Sequence, residues 1–334
     1  MAAPSAGRRH RLILTRNIMA SEYASSAQQA RNPSTDPHHV VEGELTWLVR
    51  AVGLAIGGLL AVGVILGLYH GLTFGGGVRA QIAHGLLVAQ VVFAVVLIML
   101  GSIVEGFGFG LALGTRWPYT KNIVVLMLRG DPEAAHRVVA TLVGLVGVAL
   151  AITHPVYEMF LGLGLIVATA LFGMGVLYVL AGRAPAIVHG THGLLAYLVF
   201  MAYLVPLAHA NIGLGLYLKI IIPTHPLLFA IFMGGVVTGG RGFGEALGQF
   251  TVPERKPQWI VALHGIAGLM VVGTLGWYMP TYPVAFALVL LQLGVGFLLF
   301  QAVNLKPKAP GAIVAFHQIM ALLITTAIVM QWQF

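Results

Sequence analysis

The sequence predicts an all-α membrane protein of about nine transmembrane helices: two parallel four-helix repeats preceded by one extra N-terminal span. Three observations carry this. Hydrophobic residues make up 58% of the 334 and charged residues only 8%, too few charges to solvate a water-exposed surface of that size. The apolar residues fall in runs of the length needed to cross a bilayer. Two segments repeat 133 residues apart, GSIVEGFGFGLALG over residues 101–114 and GGVVTGGRGFGEALG over residues 234–248. With one residue inserted they align, and both contain GFG-x-ALG. A self-similar period of this kind marks a duplicated unit.

In order along the chain, residues 1–43 form a polar arm rich in Ala, Ser and Arg. The arm reads as a disordered prokaryotic extension; its scarcity of acid before Asp36 makes a mitochondrial presequence the alternative, and it lacks the long apolar core of a secretory signal. The expected spans are 46–69, 81–104, 133–153, 158–181, 186–208, 212–237, 258–278, 282–303 and 311–332. The segment 44–70 is the extra helix, 81–208 the first repeat and 211–334 the second. Each repeat crosses the membrane an even number of times, so the two lie parallel and are related by an axis along the membrane normal. The net charge of +8 is spread over short loops and reads as loop charge, with no nucleic-acid footprint. With no cysteine, the chain has no disulfide, iron–sulfur cluster or thiol nucleophile.

Histidines carry the chemistry. His136 and His264 open the apolar run after each repeated segment. His192 and His317 follow them by 56 and 53 residues. All four spans start from the same side, so the four imidazoles share a depth, one pair per bundle. A histidine inside a membrane is costly unless paired or ligating, which makes it a functional candidate. Two imidazoles facing each other across a bundle can ligate haem iron axially. The competing reading is a histidine hydrogen-bonded to a neighbouring helix, and repetition at matched positions weighs against it. His189 competes with His192 one turn away. His192 and His317 each lie seven residues after a proline, Pro185 and Pro310, which selects His192. His70, His84, His154, His209 and His225 fall near the opposite face without a repeat pattern. They read as interfacial residues, with a second haem layer as the alternative.

Glu133 lies three residues before His136 and shares its helical face. A carboxylate there can orient a ligand, move a proton or offset positive charge; it can also serve only the helix dipole. The second half has Val261 at the equivalent position, so the two sites differ. One is expected to be a reaction site and the other an electron-transfer site.

These residues resemble the haem A synthase family, membrane enzymes that oxidise a methyl group of haem O to the formyl of haem A. The resemblance rests on GSIVEGFGFGLALGTRWP and on the E-x-x-H-R motif of Glu133, His136 and Arg137 followed by VVATLVGL. It continues through ALFGMGVLYVL, AP and HGLLAYL, then LLQLGVGFLLFQAV, AP and HQIMALL, covering roughly residues 81–334. It implies haem b held by His264 and His317 and a substrate haem near Glu133, His136 and His192. Its other implications are haem O as substrate, an unidentified electron acceptor, and haem O synthase or cytochrome oxidase assembly factors as partners. The protein would be multi-pass in the cell membrane or, for an organellar chain, in the mitochondrial inner membrane. Candidate propionate partners are Arg137, Arg116, Arg183, Arg241, Lys306 and Lys308. Two other readings stay open: a two-haem cytochrome b electron-transfer subunit, and a non-catalytic haem carrier or assembly factor.

The chain departs from the family pattern at Glu105, where members commonly carry Arg, and at Gly265, where His136-Arg137 leads one to expect Arg. The missing cysteines and the extra first span depart from it too. Topology adds a conflict. Almost all basic residues fall on the side of the repeated loops, which the positive-inside rule makes cytoplasmic. The resemblance makes that side the outer one. Cations retained for haem propionates reconcile the two, and the outer assignment is the expectation carried forward.

Overall fold

A computed structural model of the chain describes residues 46–120, 122–242 and 244–332. The polar arm, with His10, His38 and His39, lies outside the described residues. The chain divides into two units, Met1–Val52 and Gly53–Phe334, and the side chains discussed below all lie in the second. The regular elements of the described residues are all helices: α1 (Thr46–Thr73), α2 (Val78–Gly106), α3 (Ile123–Leu128), α4 (Pro132–Thr153), α5 (Tyr157–Leu180), α6 (Ile187–Ala208), α7 (Leu214–Ile220), α8 (Thr224–Arg241), α9 (Lys256–Trp277), α10 (Pro283–Leu305) and α11 (Ile313–Gln331). Eight of these are long and apolar enough to cross a membrane. The protein is therefore a multi-pass membrane protein.

The expected span 212–237 is not one helix. It breaks into α7 and α8, bent by 107°. Pro223 sits at the N-terminal boundary of α8. A proline disfavours helical backbone at the residue before it, so the run Ile220–Ile222 cannot carry α7 straight into α8. Counted as one span the bent pair makes nine; otherwise the count is eight. The other spans match expectation to within a few residues. One consequence is that His264 lies in the third turn of α9 rather than the second, because the helix starts at Lys256.

Helix packing follows a regular scheme. α2 packs on α4, α4 on α5, α5 on α6 and α6 on α2, closing one ring of four. α8, α9, α10 and α11 close a second ring in the same order. The rings meet where α6 packs on α8 and α11 packs on α2. In lipid these contacts gain little from apolar burial, so close approach of small residues matters. A Cβ on Gly106 would lie 2.5 Å from the Gly311 carbonyl oxygen, and one on Gly235 would lie 2.8 Å from the Gly190 Cα. The Gly311 amide donates to the Gly106 carbonyl at 2.8 Å.

The two repeated loops turn alike. Gly108 and Gly114 in the first, and Gly242 and Gly248 in the second, all take positive φ of 57–75°. Glycine alone adopts that region without strain, which is why GFG-x-ALG opens and closes on glycine. These loops and the Pro185 and Pro310 turns gather at one end of the helices. There a Cβ on Gly108 would lie 2.8 Å from the Lys308 carbonyl oxygen, and one on Gly239 would lie 3.1 Å from that of Ala186.

Candidate functional site

Each of the four histidines packs against a glycine on the long helix before it. A Cβ on Gly101, Gly173, Gly234 or Gly296 would meet the Cε1 of His136, His192, His264 or His317 at 3.2, 3.1, 3.3 or 3.4 Å. In all four the next nearest ring atom is Nδ1. A larger residue would push the imidazole away, so the glycine sets the ring's position.

The carbonyl four residues before the glycine completes the arrangement. His192 Nδ1 is 3.0 Å from the Thr169 oxygen, and His264 Nδ1 is 3.0 Å from the Ala230 oxygen. Each distance fits an Nδ1–H donating to the carbonyl, which puts the ring lone pair on Nε2, the usual state of a metal-ligating imidazole. His136 faces Leu97 in the same register, although its buried Nδ1 closes no hydrogen bond of good geometry. In the fourth hairpin the register residue is Gln292. Its amide lies 3.3 Å from His317 Nε2 and donates to the His317 carbonyl at 3.0 Å.

The pairs lie on diagonal helices. α9 and α11 both pack on α10, and α4 and α6 both pack on α5. The His264 and His317 ring centres are 6.2 Å apart, with planes at 63°. Two metal–nitrogen bonds of about 2.0 Å in a line would separate the ring centres by about 6.3 Å. The spacing and the diagonal placement fit axial ligation of a macrocycle's metal, which would take the place of the Gln292 amide at His317 Nε2. Among the described residues no three His, Asp or Glu side chains converge on a metal position. A pair of axial ligands needs no third. His136 and His192 lie close enough to interact electrostatically.

His189 points elsewhere. Its Nε2 is 4.0 Å from the Glu105 carboxylate, and a Cβ on Gly239 would meet its own Cβ at 2.9 Å. It therefore faces the junction of α2, α6 and α8, away from the Gly173 hairpin that holds His192. Glu105 also accepts from the Thr238 hydroxyl. Of the opposite-face histidines, His209 contacts the Val329 carbonyl at 2.8 Å, His225 contacts that of Ile222 at 3.2 Å, and the His70 and His84 ring centres lie 6.2 Å apart.

Glu133 is buried, 4% exposed, and both its oxygens are engaged. Oε2 accepts from the Leu113 amide at 2.9 Å and Oε1 from Arg137 at 2.5 Å. Arg137 also donates to the Arg116 carbonyl at 2.6 Å. Asp131 caps the same helix by accepting from the Ala134 amide. Glu133 thus ties the first repeated loop down beside His136. The second loop is tied differently: the Leu247 carbonyl accepts from Gln258 at 3.0 Å and from Arg255 at 2.5 Å. A carboxylate anchors one loop, and an amide with a guanidinium anchors the other.

Of the candidate propionate partners, Arg116, Arg183, Lys306 and Lys308 are exposed at the loop end. Arg137 is committed to Glu133. Arg241 is 5% exposed and donates to the Pro307 carbonyl at 2.8 Å. The glycine seats and their carbonyls position the rings, a relationship that reading by residue chemistry passes over. Their signal was present, since Gly101 and Gly234 occupy matched positions of the repeat.

The chain matches no protein-family model, no curated protein and no solved structure.

Proposed function

We propose that the protein is a haem-binding oxidoreductase of the haem A synthase type, oxidising a methyl group of haem O to the formyl of haem A. The observation that supports it is the twofold histidine arrangement with a buried carboxylate beside only one pair. In this reading the chain is a tandem duplication with parallel halves. His264 and His317 would hold haem b, which would supply one-electron redox chemistry when bound. His136 and His192 would bind the substrate haem.

The chain's own residues do the rest. The Thr169 and Ala230 carbonyls fix the tautomer of His192 and His264, so Nε2 presents a lone pair. The glycine seats hold each ring at a set depth. Glu133 and Arg137 hold the first loop against the His136 end of α4. Glu133, one turn from His136 and paired with Arg137, would support charge or proton changes at the substrate haem. Arg116, Arg183, Lys306 and Lys308 offer exposed cations to propionates at the same end.

The contrast of Glu133 with Val261 favours catalysis over a symmetric two-haem electron-transfer subunit or a carrier. The test is pigment analysis. Purified protein should carry six-coordinate, low-spin haem b, lost in His264→Ala or His317→Ala. Cells gaining the gene should convert haem O to haem A. A colourless protein from haem-replete cells overturns the haem reading. Haem b with an unchanged haem O to haem A ratio overturns the synthase reading.

A further inference from the structure

At the opposite end of the molecule from the four histidines, a further imidazole pair has ring geometry similar to that of His264 and His317 in a different setting. His70, on α1, and His84, on α2, have ring centres 6.2 Å apart with planes at 61°. These helices are sequential neighbours joined by a short turn, with no third helix between them as α10 stands between α9 and α11. They cross in backbone contact: a Cβ on Gly67 would lie 2.7 Å from the Gly85 carbonyl oxygen, and one on Gly71 would lie 2.9 Å from that of Gln81. His70 sits between Gly67 and Gly71, and His84 adjoins Gly85. The close crossing therefore fixes the separation of the two imidazoles.

Their ring orientations are supported as well. Phe74 stacks on His84 with centres 4.1 Å apart and planes at 15°. Tyr69 meets His70 edge-on at 5.5 Å. Gln81 donates to the Phe74 carbonyl at 3.2 Å, tying the turn between the helices to α2. His70 is exposed in the last turn of α1.

We infer that His70 and His84 form a two-coordinate site for Cu(I), one imidazole nitrogen from each ring. Two observations and the chemistry of imidazole select this ion. With metal–nitrogen bonds of about 2.0 Å, ring centres stand about 6.3 Å apart across a linear metal but only about 5.1 Å apart across a tetrahedral one. The observed 6.2 Å is the linear value. No third His, Asp or Glu joins the pair among the described residues, so the closed four-ligand set of a structural zinc is not available. Imidazole suits copper, and Cu(I), a d10 ion of single charge, accepts two ligands in a line. A macrocycle does not fit as it does between α9 and α11, because the two backbones touch within a turn of both rings. The inference does not depend on the proposed function. α1 lies outside the repeat, and the site needs no haem.

The test uses the full chain in nanodiscs under anaerobic conditions, titrated with Cu(I) against a chromophoric chelator. Wild-type protein should bind one more Cu(I) than His70→Asn or His84→Gln, with X-ray absorption showing two nitrogen ligands. His70→Met should keep that equivalent, because a thioether also suits Cu(I). Melting temperature and haem b absorption should be unchanged in all three variants. Equal Cu(I) binding by wild type and His84→Gln overturns the site. So does loss of binding in a His70→Met variant that melts normally. A His84-dependent zinc site of four-coordinate geometry, or haem absorption lost on His84→Gln, overturns the choice of ion.

Discussion

Glu105 and Thr238 occupy equivalent positions of the two repeated segments, 133 residues apart, and their side chains hydrogen-bond to each other where the two helix rings meet. His189 approaches the same carboxylate at 4.0 Å, and Arg241 interacts with it from α8. Removing one member of a buried polar set leaves its partners unsatisfied. Glu105→Ala should lower stability by about 1–3 kcal/mol, and Glu105→Gln, which still accepts from Thr238, by less. Thermal unfolding in detergent measures both. Equal melting of Glu105→Ala and wild type would show that this contact does not hold the rings together.

The glycine seats predict a steric series. Gly234→Leu should displace His264 and abolish the low-spin haem b spectrum, because even a Cβ would stand 3.3 Å from Cε1. Gly265→Ala, at a position with open space around it, should leave the spectrum intact. Optical and paramagnetic resonance spectra of the two variants decide. A normal spectrum in Gly234→Leu would remove the glycine from the site.

Glu133→Ala should leave the His264/His317 spectrum unchanged while blocking haem O oxidation, with haem O or a half-oxidised alcohol accumulating. Glu133→Gln keeps size and the acceptor for the Leu113 amide but loses the charge. If Gln restores turnover, the carboxylate acts as a loop anchor. If Ala makes haem A at the wild-type rate, Glu133 serves only the end of α4.

The loops holding Thr115 and Thr251 should lie on one membrane face, because the helix ends that carry them meet through Glu105, Thr238 and the Arg241–Pro307 contact. Thr115→Cys and Thr251→Cys place single thiols in a chain without cysteine. An impermeant reagent on intact cells, or mitoplasts, should label both if that face is outside. Labelling of one site alone breaks the shared-face arrangement. Labelling of both only after lysis makes the face cytoplasmic.

Class and span positions were legible in the sequence because the hydrocarbon core imposes a length of about 20 apolar residues that composition alone reveals. The same length rule passed over Pro223, since a hydropathy window averages across a kink that one missing amide and one steric clash create. Spacing from Pro185 and Pro310 encodes helical phase, and His189 and His192 face different helices.

What only the tertiary structure decided lies between helices. The pairing of each histidine with a glycine on the preceding long helix depends on crossing geometry, which varying loop lengths conceal: His136 follows Gly101 by 35 residues, but His192 follows Gly173 by 19. The engagement of both Glu133 oxygens, the meeting of Glu105 with Thr238 and the closeness of His70 to His84 have the same origin. Hydrophobic periodicity encodes where each helix lies relative to the membrane. Side-chain partners across a crossing are set by backbone approach, and no one-dimensional pattern records that distance.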